Sequence, residues 1–211
     1  MKNLYIIMAH IDDFECSCLG YVNKHQEEYN KICLVVCSYW ENKKNIFTEN
    51  LKLINSHLKA PIAYVNLNFK QRRLNSEIDN LKDDIYKLID FSREFDILTH
   101  DKNDLHTDHV AVHNIARGMY KHCSKYISVY SPSSSDFKPN YFIALDSETY
   151  GIKKTTMDKY SMEVEQSYSK SGYYLQSEEH YNIGRSYVLE NFVNVKNQYF
   201  EIYRICKWLQ K

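Results

Sequence analysis

Residues 4–15 read LYIIMAHIDDFE and join an apolar run to a histidine and two adjacent aspartates. The apolar run is continuous rather than alternating, which predicts a parallel β-strand buried on both faces of a sheet. In open α/β sheets, ligands bind beyond the carboxyl ends of such strands. The stretch therefore predicts an α/β fold, and it places His10, Asp12 and Asp13 at an edge where chemistry is expected.

Strand and helix patterns alternate along the chain as far as residue 131. Apolar runs predict further strands, and apolar residues at helical spacing predict crossover helices between them. The predicted strands are 3–9, 31–37, 62–65, 96–100 and 126–130, and the predicted helices are 15–28, 48–58, 76–91 and 110–122. Right-handed crossovers then give a Rossmann-like three-layer α/β fold, with a mainly parallel sheet and helices on both faces.

Beyond residue 140 the pattern is less regular. Residues 141–145 predict a short edge strand and residues 147–167 a helix, whereas residues 172–211 fit either a terminal strand or a helix pair. The chain has 211 residues, which is near the size of a single domain, so residues 1–211 are expected to form one domain.

The amino-acid composition indicates which kind of partner and which cellular compartment to expect. Basic and acidic residues number 27 each, so net charge gives no reason to expect a nucleic acid or an anionic membrane as partner, and a small molecule fits better. No stretch approaches the roughly 18 consecutive apolar residues of a transmembrane segment, and no signal peptide precedes the first strand. The six cysteines include no Cys-x-x-Cys pair, which favours free thiols in a reducing cytoplasm. An oligomer is possible, but no pattern specifies one.

A second polar cluster, residues 104–109, follows the fourth predicted strand and opens a predicted helix. Its histidines, His106 and His109, are three positions apart and project to roughly the same side of that helix. Loops after parallel strands share one edge of the sheet, so this cluster and the first can meet there. Imidazole and carboxylate groups together suit a divalent metal. Alone, the first cluster also fits a polar loop in which His10 is hydrogen-bonded and both aspartates cap the next helix.

These stretches resemble a known family. Residues 9–15 are similar to the A-H-P-D-D signature of the LmbE-like, or PIG-L, deacetylases, and residues 104–109 resemble that family's D-x-H-x-D-H. Residues 187–192 resemble its Y-x-x-E-x-F stretch. Two positions depart from the pattern: Ile11 replaces a proline, and Ile46 replaces the arginine of an R-x-x-E pattern that ends at Glu49. The first change removes a rigid φ angle but no ligand, and the second removes a substrate-contacting side chain.

The resemblance implies a hydrolytic metal site. It implies that His10, Asp13 and His109 bind a divalent metal, with Zn²⁺ as the first choice and Fe²⁺ as another. Three protein ligands leave a coordination position for water, as such a site requires. The implied substrate is an N-acetylated amino-sugar conjugate of small size.

The same resemblance implies the remaining catalytic roles. Asp12 is expected to act as the general base, and His106 to stabilise the oxyanion or to protonate the departing amine. Asp108 is expected to hold His106 in its tautomer and to raise its pKa, and Asp104 to orient a histidine from outside the metal ligands.

Several alternatives stay open from the sequence. An amidase for a non-sugar acyl amide would share every catalytic residue, and a non-catalytic carbohydrate-binding protein could keep the metal. A nucleotide-binding Rossmann domain would need a glycine-rich turn after the first strand, which this chain lacks. His113 could be a fourth ligand or a core histidine, and residues 131–135 could form a lid or an ordinary surface connection.

Overall fold

The computed structural model describes residues 1–39, 41–163 and 199–209. The strands are β1 (Lys2–Met8), β2 (Tyr29–Tyr39), β3 (Ile62–Lys70), β4 (Phe95–His100), β5 (Lys125–Val129), β6 (Tyr141–Ala144) and β7 (Phe200–Trp208). The helices are α1 (Asp13–Ser17), α2 (Leu19–His25), α3 (Lys44–His57), α4 (Ile78–Leu88), α5 (Thr107–Gly118) and α6 (Ser147–Glu163). None of the helices in the described ranges has the length and apolar character that a membrane crossing needs.

The described strands form one sheet in the order β3-β2-β1-β4-β5-β7-β6. The strands from β3 to β5 are parallel to their neighbours, whereas β7 runs antiparallel to both β5 and β6. The predicted α/β architecture with a mostly parallel sheet is therefore confirmed, although the sheet is not wholly parallel. The predicted edge strand is present as β6, and β7, which separates it from β5, is a strand in the range where the sequence left a terminal strand or a helix pair open.

Two hydrophobic cores cover the two faces of the sheet, and β1 contributes to both. Leu4, Ile6 and Met8 belong to one core, and Tyr5 and Ile7 belong to the other. This alternation explains why the first strand is apolar at every position, because neither of its faces meets water. Helices α4 and α5 cover one face, and the first three helices and α6 cover the other.

Some helix boundaries differ from the predicted ones. The helix predicted over residues 15–28 is split into α1 and α2, because Cys18 leaves helical geometry with φ −128°. The helix predicted over residues 76–91 ends sooner, since Ile89 is extended (φ −85°, ψ 123°). Residues 74–77 ahead of it form a 3₁₀ turn. The ends of a helix depend on how the flanking loops pack. A local sequence pattern therefore predicts the presence of a helix better than its exact ends.

A buried ion pair joins α6 to β7. Lys153 Nζ lies 2.5 Å from Glu201 Oε1, and both side chains are almost fully buried. The other carboxylate oxygen of Glu201 accepts hydrogen bonds from Gly20 N, at 2.8 Å, and from the Tyr203 hydroxyl. A Cβ atom at Gly20 would lie only 2.4 Å from Leu145 Cδ2 and 2.8 Å from this same oxygen, so glycine permits the close approach of α2. The pair ties the C-terminal strand to two helices.

Candidate metal centre and active site

The candidate site lies where the direction of strand addition reverses. From β1 the chain builds outward through β2 and β3, and it then returns to add β4 on the other side of β1. Ile7 of β1 pairs with Thr99 of β4, so the loops that follow these strands leave the sheet side by side. Such a reversal opens a crevice at the carboxyl edge. The two polar clusters of the sequence therefore meet there.

The side chains predicted to bind metal converge at this crevice. His10 Nδ1 lies 3.1 Å from His109 Nε2, and Asp13 approaches each of them to 3.4 Å, with Oδ2 toward His10 and Oδ1 toward His109. Zinc–ligand bonds of about 2.0–2.1 Å at tetrahedral angles place neighbouring donor atoms about 3.3 Å apart. The two histidine nitrogens have this spacing, and Asp13 presents a different oxygen to each of them, so the donor triangle, formed by His10, Asp13 and His109, offers two nitrogens and a carboxylate to one divalent cation.

A buried carboxylate holds the remote nitrogen of each histidine in the donor triangle. His10 Nε2 lies 3.2 Å from Asp108 Oδ2, and His109 Nδ1 lies 2.9 Å from Asp104 Oδ2. A carboxylate oxygen accepts hydrogen bonds, so the ring nitrogen facing it carries the proton. The lone pairs of His10 Nδ1 and His109 Nε2 are then left for a metal. This pairing of carboxylate, histidine and metal is a common arrangement in metalloproteins.

The electrostatics of the donor triangle favour positive charge at its centre. Burial lowers the pKa of His10, but Asp13 and Asp108 outweigh burial and raise it to about 9. Burial acts in the same way on His109, and Asp13 with Asp104 raises its pKa to about 10. Burial opposes the charge of Asp13, yet the neighbouring histidines hold its pKa well below the usual range. A divalent cation would compete with protons for this place, so its binding would release protons.

Asp104 is fixed by a network that the sequence did not predict. Its oxygens accept hydrogen bonds from Ser131 Oγ at 2.5 Å and from Ser133 Oγ at 2.6 Å, and from the backbone N–H of His106 at 2.8 Å. Burial raises the pKa of Asp104, but the hydrogen bond and charge of His109, together with His100 and Ser131, outweigh burial and hold it below its usual range. Ser131 and Ser133 therefore hold Asp104 in place, and Asp104 in turn holds His109.

Asp108 does not hold His106 in the way the sequence suggested. Its carboxylate accepts hydrogen bonds from Arg72 N at 2.6 Å and Leu74 N at 3.3 Å, in addition to its contact with His10. Its contact with His106 comes instead from the backbone, where Asp108 N–H donates to His106 Nδ1 at 3.2 Å. Burial and the neighbouring histidines lower the pKa of His106, whereas a rise was expected. The charge of Asp108 does raise the pKa of His106, as expected, but burial and the histidines outweigh it, and the loop after β3, with Arg72 at φ 60°, supplies hydrogen bonds to the Asp108 carboxylate.

Asp12 lies beside the donor triangle but belongs to none of the donor sets of the described residues. It precedes α1, yet its side chain makes no capping hydrogen bond to that helix. The alternative in which both aspartates only cap the helix is therefore wrong for Asp12. Its Oδ2 lies 3.7 Å from Lys43 Nζ, and both residues are buried.

His100 is a site residue that the sequence reasoning missed. Its Nε2 accepts a hydrogen bond from Ala9 N at 3.0 Å and lies 3.3 Å from Asp13 Oδ2, and its ring stacks on that of His109 with 3.8 Å between centroids. A signal was available, because His100 ends β4 just before the second polar cluster. His113, in contrast, donates from Nδ1 to the backbone carbonyl of His100 at 2.9 Å. It is a hydrogen-bonded core histidine, and the fourth-ligand alternative is not supported.

Residues 187–192, which resemble the Y-x-x-E-x-F stretch of the family, lie outside the described residues, so that resemblance stays a prediction.

The contact between the Asp104 carboxylate and His109 gives a first testable prediction. Asp104→Asn is expected to weaken Zn²⁺ binding by about 10- to 100-fold, because an amide holds the histidine tautomer and orientation less firmly than a carboxylate. The affinity is measured by competition with a chelator of known strength. Asp136→Asn, an exposed change of the same charge in the neighbouring loop, is the control and should bind as the parent does. Equal Zn²⁺ affinities for the Asp104→Asn and Asp136→Asn variants would contradict the role of Asp104 in holding His109.

The comparison with family models agrees with this geometry. The model of the PIG-L family, described as GlcNAc-PI de-N-acetylase, matches residues 5–120, a range that holds both polar clusters. No curated protein matches the chain closely in sequence.

Solved structures share the fold at low sequence identity. The N,N'-diacetylchitobiose deacetylase of Pyrococcus horikoshii is 16 % identical with a TM-score of 0.59, covering 97 % of this chain and 83 % of its own. The zinc-inhibited form of teicoplanin deacetylase Orf2 is 12 % identical with a TM-score of 0.68, covering 96 % and 97 %. The 4-carboxy-2-hydroxymuconate hydratase GalB of Pseudomonas putida KT2440 is 12 % identical with a TM-score of 0.70, covering 100 % and 98 %. Because a hydratase shares the fold with the deacetylases, the fold alone does not decide the reaction.

Proposed function

The chain belongs to the PIG-L family, and on that premise we propose that it is a metal-dependent hydrolase that removes the N-acetyl group from an amino-sugar conjugate. The observation that carries the proposal is the donor triangle of His10, Asp13 and His109, in which a buried carboxylate holds the remote nitrogen of each histidine. The two histidine nitrogens that do not face these carboxylates, His10 Nδ1 and His109 Nε2, lie 3.1 Å apart, and a divalent cation that displaces their protons would find both as ligands.

A divalent cation held by this triangle would act as a Lewis acid, lowering the pKa of a water molecule and polarising an amide carbonyl. Zn²⁺ suits two imidazoles and one carboxylate, and Fe²⁺ is the second choice. The protein's part is to keep both histidines in the tautomer that leaves a lone pair free, through Asp104 and Asp108.

Asp12 is the proposed general base. It lies next to Asp13 in the chain but outside the donor triangle, so its carboxylate is available to take the proton of the attacking water. His106 is the proposed hydrogen-bond donor to the substrate. Its Nδ1 accepts from Asp108 N–H, so in the neutral ring the proton is on Nε2, where it can be donated to the developing oxyanion or to the departing amine. Asp108 supports this site by positioning His10 and His106.

An N-acetylated amino sugar is the proposed substrate class, supported by the family and by the deacetylases among the structural neighbours. A non-sugar acyl amide would need the same catalytic groups, and hydration of an unsaturated acid is the activity of one neighbour. We also propose that residues 1–211 act as one domain in the cytoplasm. The cysteines of the described residues support a reducing compartment, since all six are free and five are buried.

The proposal is tested by metal analysis combined with amine release. The purified protein is expected to hold one divalent metal per chain and to release amine from a member of a panel of N-acetylglucosamine conjugates. A chelator should abolish release, and one equivalent of Zn²⁺ or Fe²⁺ should restore it. Zinc is titrated from below one equivalent to excess, because one neighbour is described in a zinc-inhibited form.

Three other results would point elsewhere. Release only from simple acyl amides would make the protein an amidase. Metal binding with consumption of 4-carboxy-2-hydroxymuconate and no amine release would make it a hydratase. A metal-free protein that binds none of these ions would refute the proposed metal centre.

A further inference from the structure

Lys43 occupies a position that local physical chemistry disfavours. It is the residue directly before α3, and only 4 % of its surface is exposed. A cation at the amino end of a helix opposes the helix dipole, and lysine is a poor capping residue. Burial of an ammonium group is also costly unless an opposite charge accompanies it. A residue that violates several local rules together is a reason to look for a function.

The surroundings of Lys43 supply that charge. Its Nζ lies 3.7 Å from Asp12 Oδ2, and it stands over the ring of Tyr160 at 5.4 Å from the centroid. Tyr160 is itself fully buried and donates from its hydroxyl to Glu15 Oε1 at 2.9 Å. The ammonium is therefore seated between an aromatic face and the carboxylate of Asp12, and cation–π attraction adds to the ion pair.

The contact between Lys43 and Asp12 matters because Asp12, as the proposed general base, must not bind the metal. Asp12 and Asp13 are adjacent, and a divalent cation attracts both carboxylates. A general base has to keep its lone pair for a proton, so Asp12 needs a force that holds it outside the donor triangle. Lys43 supplies a positive charge on the side of Asp12 that bears Oδ2.

We propose that Lys43 is a positioning residue for Asp12: its ammonium retains Oδ2, which keeps the carboxylate out of the donor triangle and aims the other oxygen at the attacking water. This inference rests on the proposed function, since it assigns Lys43 through the role of Asp12 as base. It does not depend on contact between Lys43 and the substrate.

The test is a double-mutant cycle of Lys43→Met and Asp12→Asn, measured as kcat and KM separately. Lys43→Met alone is expected to lower kcat by about 10- to 100-fold, with KM changed less than about 3-fold, because substrate binding does not need this contact. In the Asp12→Asn background the same change should have almost no further effect on kcat. Lys52→Met, which removes an exposed lysine from the same helix, is the control.

Two kinetic results would overturn the inference. An equal loss of kcat in both backgrounds would mean that Lys43 acts without Asp12. A loss confined to KM would mean that Lys43 contacts the substrate.

A measurement without catalysis separates this inference from the proposed function. The thermal midpoints of the four proteins of the cycle should be non-additive, so that Lys43→Met lowers the midpoint less when Asp12 is already Asn. Such non-additivity would establish the pair even if no conjugate were deacetylated. Additive midpoints would refute the pair even if the enzyme proved active. Lys43→Gln replaces Lys43→Met in the cycle should the methionine variant fail to fold.

Discussion

Asp12→Asn is expected to lower kcat by about 10²- to 10⁴-fold while the bound metal stays near one equivalent per chain. Asparagine has nearly the shape of aspartate but cannot take a proton from water at neutral pH. The metal should stay because Asp12 is not among the donor atoms that face each other at 3.1–3.4 Å. Steady-state kinetics on a conjugate identified by amine release, together with metal analysis of the same sample, measures both effects.

Asp13→Asn is the matched comparison, since it makes the same chemical change one residue further along the chain. It removes the carboxylate of the donor triangle, so metal and activity should fall together. Full activity in the Asp12 variant would exclude Asp12 as the base. Loss of metal from the Asp12 variant would instead place Asp12 among the ligands.

Glu201→Gln is expected to destabilise the protein by about 3–5 kcal/mol, the cost of removing the carboxylate that lies opposite a buried ammonium group. The charge is that of Lys153, which is almost fully buried and lies 2.5 Å from Glu201. For a chain of this length, such a loss lowers the melting temperature by about 10 °C.

Thermal and urea unfolding measure the effect of this change. Glu148→Gln is the control, because the side chain of Glu148 is 75 % exposed and its loss should change stability little. The double change Lys153→Met with Glu201→Leu should recover part of the stability, since it removes both buried charges together. A loss below about 1 kcal/mol for Glu201→Gln would show that the pair is not the anchor of β7.

The parallel half of the fold could be predicted from the sequence because it depends on local patterns, whereas the choice of His10, Asp13 and His109 as metal ligands came from the family resemblance. The run before His10 is apolar at every position since both faces of β1 are buried, and His109 lies in the first turn of α5, the helix that follows β4. The parallel topology then requires that the two loops meet. The family pattern adds Asp12 and His106 by resemblance.

The supporting contacts could not be predicted, because they join segments that no sequence pattern relates. Asp108 is reached by the loop after β3, which adopts a left-handed conformation at Arg72, so its carboxylate faces His10 rather than His106. Ser131 reaches Asp104 from the loop after β5. No sequence pattern marks Lys43 as buried, because its burial depends on packing against Tyr160, which is distant in the chain. Strand β7 could not be placed because its pairing with β5 and β6 is antiparallel and long-range.

The position of β7 in the sheet also sets the order in which a newly made chain can fold. Residues 1–109 already contain the donor triangle, and the strands from β1 to β5 can pair as they leave the ribosome. Strand β6 must wait, since its described partner β7 is translated only at residues 200–208. Until then the edge of β5 is unpaired, and an open edge invites pairing with other chains. The nascent protein is therefore most exposed to aggregation after its metal ligands are complete and before its sheet is closed.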